Sequence, residues 1–198
     1  MLFRSNPEAV DFALKALNST QKQSIFQEAI EKANQHTNLN QNNHALGFFT
    51  LAAVAASDGQ RNEILRMRSK CFERLLSFQE AIEDLTSVIT SGIPIVGDLV
   101  ARANLHLLND NFNSACLDFI VAMDTQEVTA MTLISSYPGK EAAIKTFLKA
   151  AIADLNRRKF SNGLRVSTYG LKFDPNNVEL KTLKGKFELG VSNKCFIQ

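Results

Sequence analysis

Slid past itself by 34 residues, the chain aligns with its own continuation without a gap. Leu65 falls on Leu99, Arg68 on Arg102, Ser69 on Ala103, Phe78 on Phe112, Ala81 on Ala115, Asp84 on Asp118 and Leu85 on Phe119. Side-chain size and order are both kept. A period of this length marks a supersecondary unit repeated along the chain. One such unit cannot bury its apolar face alone, so neighbouring units must stack to close a core.

The two aligned units are 62–95 and 96–129, each with two apolar-periodic segments of about 13 residues separated by a brief polar turn. In the first unit Phe78, Ala81, Ile82, Leu85, Val88 and Ile89 follow helical spacing. Ser77 with Glu80 three residues on predicts a capping box at the start of that helix. Asn111 is the matching cap in the second unit. A third copy, 144–177, comes after 14 extra residues. Ile144, Phe147, Leu148, Ala151, Ile152 and Leu155 would form its first helical face. Arg157-Arg158-Lys159 is its turn, and Asp174-Pro175 ends it because proline cannot continue the hydrogen-bond ladder.

This pattern resembles the tetratricopeptide repeat family, whose unit has the same length and consists of two antiparallel helices. The resemblance implies small residues where the paired helices cross, and Ser69 with Ala81, Ala103 with Ala115, and Ala151 with Gly163 supply them. Phe72, Phe78, Leu99, Phe112, Phe119, Phe147 and Phe160 are the large residues expected around them. His106 and Asp154 stand where the family often has an aromatic, and Ser167 replaces a large apolar residue. The implied fold is all-α, a right-handed α-α superhelix of antiparallel helix pairs forming one domain over 1–198. Its parts are irregular N-terminal helices at 7–57, the repeats 62–95, 96–129 and 144–177, and a C-terminal capping helix at 178–190.

Three stretches depart from the regular array. The extra residues near 125–143 predict a short additional helix before the turn Ser135-Ser136-Tyr137-Pro138-Gly139. Upstream, Ile25, Phe26, Ala29, Ile30 and Ala33 form one helix face and 43–57 a second helix, joined by a 36–43 connection too long for a regular unit. A further helix is expected at 7–17. The ending 192–198 follows directly on half a repeat, so the chain reads either as complete or as a piece of a longer array.

Composition narrows the function. A formal charge of +2 is too small for a polyanion binder. Three separated cysteines give no disulfide framework and fit a reducing compartment, hence a cytoplasmic location. The most apolar run, 45–56, is too short for the roughly 20 residues of a membrane span. Cys71 and Cys116 sit among apolar helix positions as inert small hydrophobes, and His36, His44 and His106 lack metal-ligand spacing. No phosphate loop or nucleophile elbow is present, so neither a cofactor nor an enzyme is expected. Glu83 and Asp84, adjacent on a helix, read as a solvated face.

The resemblance implies a protein-binding scaffold or adaptor whose first helices line a groove for a peptide or C-terminal segment of another protein. With the family's helix phase, that groove would be lined by Glu63, Arg66, Met67, Lys70 and Arg74, then Val100, Ala101, Asn104 and Leu108, then Lys145, Lys149 and Ile152. Some members grip a terminal carboxylate with two asparagines and three basic residues. Arg66, Lys145 and Lys149 match the basic positions, while Lys70 and Ala101 replace the asparagines. Cations around one concavity would favour an acidic partner segment. The alternative that these are ordinary solvated helix faces stays open. A second reading makes the chain a structural piece of a larger assembly, docking by lateral faces or self-association. The nearly all-round apolar 45–56 helix motivates it.

Overall fold

The computed structural model describes residues 17–92 and 95–195. The helix expected at 7–17 lies almost wholly outside the described residues. Every regular element among the described residues is helical. The helices are α1 (Ser19–Asn38), α2 (Asn42–Ala55), α3 (Asp58–Arg74), α4 (Phe78–Thr90), α5 (Val96–Leu108) and α6 (Phe112–Thr125). They continue as α7 (Glu127–Ile134), a kinked connection (Ser135–Gly139), α8 (Lys140–Asn156), α9 (Phe160–Phe173) and α10 (Val178–Cys195). The chain falls into two compact units, Met1–Pro94 and Ile95–Gln198.

The hairpins share one turn. Connections 39–41, 75–77, 109–111 and 157–159 are each three residues long, and the middle residue is left-handed: Asn40 at φ 61°, Leu76 at 59°, Asp110 at 55° and Arg158 at 53°. In each, the residue after it donates its amide five positions back. Gln41 bonds the His36 carbonyl at 2.8 Å, Ser77 that of Phe72 at 2.9 Å, Asn111 that of His106 at 2.7 Å and Lys159 that of Asp154 at 2.8 Å. These are Schellman endings, which satisfy carbonyls that the helix leaves without partners. The first hairpin is therefore as regular as the rest, because α1 runs on to Asn38 and leaves no long 36–43 connection.

Cap chemistry differs from expectation in one place. Ser77 makes no side-chain cap bond, so the box with Glu80 does not form. Asn111 does cap α6, accepting from the Ser114 amide at 3.3 Å. Reciprocal boxes form instead at Asn18–Gln21 and at Ser57–Gln60.

In the first unit α2 packs between α1 and α3, and α3 pairs with α4. Phe26, Ala29, Ala33, Ala45, Phe49, Ala52, Ala53, Ile64, Leu65 and Cys71 make its core. Leu46, Phe48, Leu51 and Val54 are half-buried against that core. The apolar circumference of the 45–56 stretch is thus spent on packing inside the unit. In the second unit α6 contacts α5, α7 and α8, and α9 lies between α8 and α10. Phe119, Phe147 and Phe173 run through it, with successive ring centroids 6.3 and 5.8 Å apart.

Small residues sit at the crossings. Ala81, Ala103, Ala115 and Ala151 are fully buried, and Ser69 Oγ donates to the Ala81 carbonyl at 3.1 Å. On α8 the buried face is Ala143, Thr146, Phe147, Ala150, Ala151 and Asp154. That face is rotated from the expected one, and Ile152 is exposed. A second correction concerns Asp84, which is buried and takes a two-pronged bond from Arg68 at 2.8 and 2.6 Å. Asp118 takes the same bond from Arg102 at 2.8 and 2.7 Å. Each pair ties the two helices of one hairpin. Removing the arginine would strand a buried carboxylate, at a cost of about 3 kcal/mol.

Candidate functional site

Helical spacing places Asn104, Leu107 and Leu108 on one stripe of α5, and Ala142, Lys145, Thr146 and Lys149 on one stripe of α8. The residues between the hairpins close the gap. Helix α7 ends in a kinked connection: Tyr137 is extended at φ −155° and ψ 125°, the Tyr137–Pro138 peptide is cis, and Gly139 turns the chain at φ 100°. Together with Phe112 these elements line a cavity of about 210 Å³.

Of the groove residues expected from the sequence, Asn104, Lys145 and Lys149 share this wall. Arg66 and Lys70 lie on α3, in the other compact unit. Arg66 is within 3.4 Å of Glu63, and Lys70 is exposed. Two other expected groove positions are turned inward: Val100 is buried, and Met67 packs against the first unit's core. Arg74 reaches Asn42 Oδ1 at 3.5 Å. Leu108 and Ile152 remain exposed.

Asn104 is 8% exposed. Its Nδ2 donates to the Tyr137 carbonyl at 3.3 Å, while its Oδ1 is buried without a partner among the described residues. The inserted segment therefore takes up one of the two amide hydrogens that Asn104 would offer to a guest. Lys149 Nζ stands 3.5 Å from the Phe112 ring centroid, a close cation–π contact. Among the described residues neither Lys145 nor Lys149 ion-pairs with a carboxylate. Both ammonium groups are left for solvent or a ligand anion.

A second cavity, of about 500 Å³, opens on the other flank of α8. Ile144, Leu148 and Val178 give its apolar walls, with Glu141, Glu179 and Asn177 alongside, and Lys145 borders both cavities. Tyr137, Pro138 and Phe112 were not foreseen as site residues. The one available signal was the 14-residue surplus itself, since an insertion between repeats must pack on some face of its neighbours.

Groups with chemical potential elsewhere are closed off. Cys71 and Cys116 are buried free thiols, and burial raises both above the usual thiol range, Cys116 the more strongly. His106 is held below the ordinary histidine value by burial. No cluster of three or more metal-ligating side chains occurs among the described residues, and none of their helices is long and apolar enough to cross a membrane.

No family model matches the chain. Among solved structures, the crystal structure of MamA protein covers 85% of this chain and 83% of its own at a TM-score of 0.51 and 11% identity. A tetratricopeptide repeat protein from Parabacteroides merdae covers 85% of this chain and 74% of its own at a TM-score of 0.52 and 16% identity. Among curated proteins, tetratricopeptide repeat protein 34 of Xenopus laevis is 27% identical over 196 residues, 96% of this chain and 34% of that protein. The fold is that of the tetratricopeptide repeat. Tetratricopeptide repeat protein 34 of Homo sapiens gives a similar match, 26% identical over 192 residues, 93% of this chain and 33% of that protein. The chain spans about a third of the length of the curated relatives it matches. Asn104 stands on α5 and Lys145 and Lys149 on α8, each the first helix of its hairpin, and Tyr137 lies between those hairpins.

Proposed function

We propose that this chain is a non-catalytic protein-interaction scaffold that takes a peptide segment of a partner on the first-helix face of its second compact unit. The observation that carries this reading is the cavity where two lysines without acidic partners border apolar walls from Leu107, Leu108, Phe112 and Pro138. Its volume of about 210 Å³ falls below the roughly 300–1,000 Å³ usual for small-molecule sites and suits a single bulky side chain. Cations beside an apolar wall recognise an acidic segment that also carries an apolar anchor. The relatives carry tetratricopeptide repeats in their names, which supports a binding role of the same general kind.

Selection of random peptides on the immobilised chain tests the proposal. Enriched peptides are expected to bind in solution and to lose about tenfold in affinity, some 1.4 kcal/mol, to the Lys149→Glu variant. That variant should stay folded, since Lys149 is exposed, and lose no more than the roughly 0.5–1 kcal/mol of its contact with the Phe112 ring. Failure to enrich any peptide, or binding indifferent to Lys149→Glu, would remove this face from the account.

A further inference from the structure

Resting on that reading, we infer that the guest segment is charge-ordered across α8. An acidic side chain beside a bulky apolar one lies on the Lys145–Lys149 flank. A second apolar residue beside a basic one lies on the Glu141–Glu179 flank.

The ordering follows from how the two cavities divide one helix. Residues 142, 145, 146 and 149 of α8 face the first cavity, and 141, 144, 145 and 148 face the second. The first is lined by two cations and no acid. The second is lined by Glu141 and Glu179, with Lys145 at the shared edge. Among the described residues neither glutamate is in an ion pair. The potential therefore changes sign from one flank to the other, and a segment lying across α8 meets both signs. Each flank also has an apolar wall, Phe112 with Pro138 on one side and Ile144, Leu148 and Val178 on the other.

The spacing is set by the helix being crossed. A helix with its side chains is about 10 Å wide, and an extended chain advances about 3.3 Å per residue, so the two anchors stand about three residues apart. The anion is a side-chain carboxylate rather than a chain terminus. A terminal carboxylate needs several fixed donors, and the Asn104 amide already gives one of its two to the Tyr137 carbonyl. The lysine heads, one helical turn apart on flexible stems, suit a side chain within a continuous segment.

Labelled synthetic peptides titrated against the full chain, read by fluorescence anisotropy, test the ordering. A peptide with the acid–apolar then apolar–basic order should bind about tenfold tighter than its charge-reversed counterpart, or some 1.4 kcal/mol. In a chain carrying Glu141→Lys and Glu179→Lys, the preference at the far residue should invert from basic to acidic. Amidating the peptide's C-terminus should leave affinity unchanged. Glu141 and Glu179 are exposed but stand in the first turns of their helices, so the double reversal should lower the melting temperature slightly while the chain stays folded. Equal affinity for both charge orders, indifference to the glutamate reversals, or loss on amidation overturns the ordering, even where Lys149→Glu still weakens binding and peptide recognition itself stands. No binding by any peptide overturns the ordering and peptide recognition together.

Discussion

His106 stands inside α5 with its Nδ1 buried and unpartnered among the described residues, and its Nε2 4.0 Å from Asp118. Burial is the main cause lowering its pKa below 6.5, opposed by the Asp118 charge and assisted by that of Arg102. The folded chain therefore prefers the neutral ring, whereas the unfolded chain protonates it at the ordinary value. Above that value neither state is protonated and the titration costs nothing. As the pH falls through about 6.5 the unfolded state gains protons first, and stability drops until the lowered folded value is passed. The unfolding midpoint in urea should fall between about pH 7 and pH 5. His106→Phe should flatten that dependence and raise the midpoint at every pH, because the orphaned nitrogen is gone. A variant with the parental slope would place the titration elsewhere. At this scale the sequence was readable in part. Arg68 over Arg102 and Asp84 over Asp118 were visible as repeated identities. Their pairing was not, because the partners are 16 residues apart across a turn, where spacing rules for a single helix say nothing.

Between elements, the crossing of α9 and α10 is set by two glycines used in opposite senses. A Cβ on Gly163 would lie 2.2 Å from the Phe187 ring of α10, and one on Gly190 would lie 2.4 Å from the Phe160 ring of α9. Each glycine is the hollow for the other helix's phenylalanine. Phe187 is fully buried, so its ring has nowhere to retreat. Gly163→Ala gains about 1 kcal/mol of helix propensity but incurs overpacking of about 1–3 kcal/mol. It should therefore lower the melting temperature, while Gly185→Ala, with nothing within 4 Å of the added carbon, should raise it. Phe187→Leu combined with Gly163→Ala should recover part of the loss. A Gly163→Ala variant as stable as Gly185→Ala would mean that the crossing is looser than drawn. The small residue at 163 was readable from the repeat, but its guest was not, because Phe187 lies on a helix beyond the copies that align. The first hairpin was misjudged for a related reason. The left-handed turn positions Asn40 and Leu76 are 36 residues apart, so a 34-residue comparison passes over the match. The four turns also share a backbone shape without sharing side chains: Asn40, Leu76, Asp110 and Arg158 have little in common except the φ they adopt.

For the molecule as a whole, the question is whether the peptide site needs both compact units. The family's helix phase distributed groove residues over the chain, with Arg66 and Lys70 in one unit and Asn104, Lys145 and Lys149 in the other. Every residue lining the two cavities comes from 104–179, wholly within Ile95–Gln198. That unit also holds its own fully buried large side chains, among them Phe119, Phe147, Phe187, Ile134 and Leu180. A segment of this size can fold on its own core. A fragment covering 95–198 should therefore unfold cooperatively and bind the selected peptides within about threefold of the whole chain, a difference below 1 kcal/mol. Arg66→Glu with Lys70→Glu in the whole chain should likewise leave affinity unchanged. Affinity lost in a fragment that still melts cooperatively, or lost on reversing Arg66 and Lys70, would restore a clamp that includes Arg66. The inserted segment would then be a spectator, because a clamp reaching across both units does not need Tyr137 and Pro138 to build its wall.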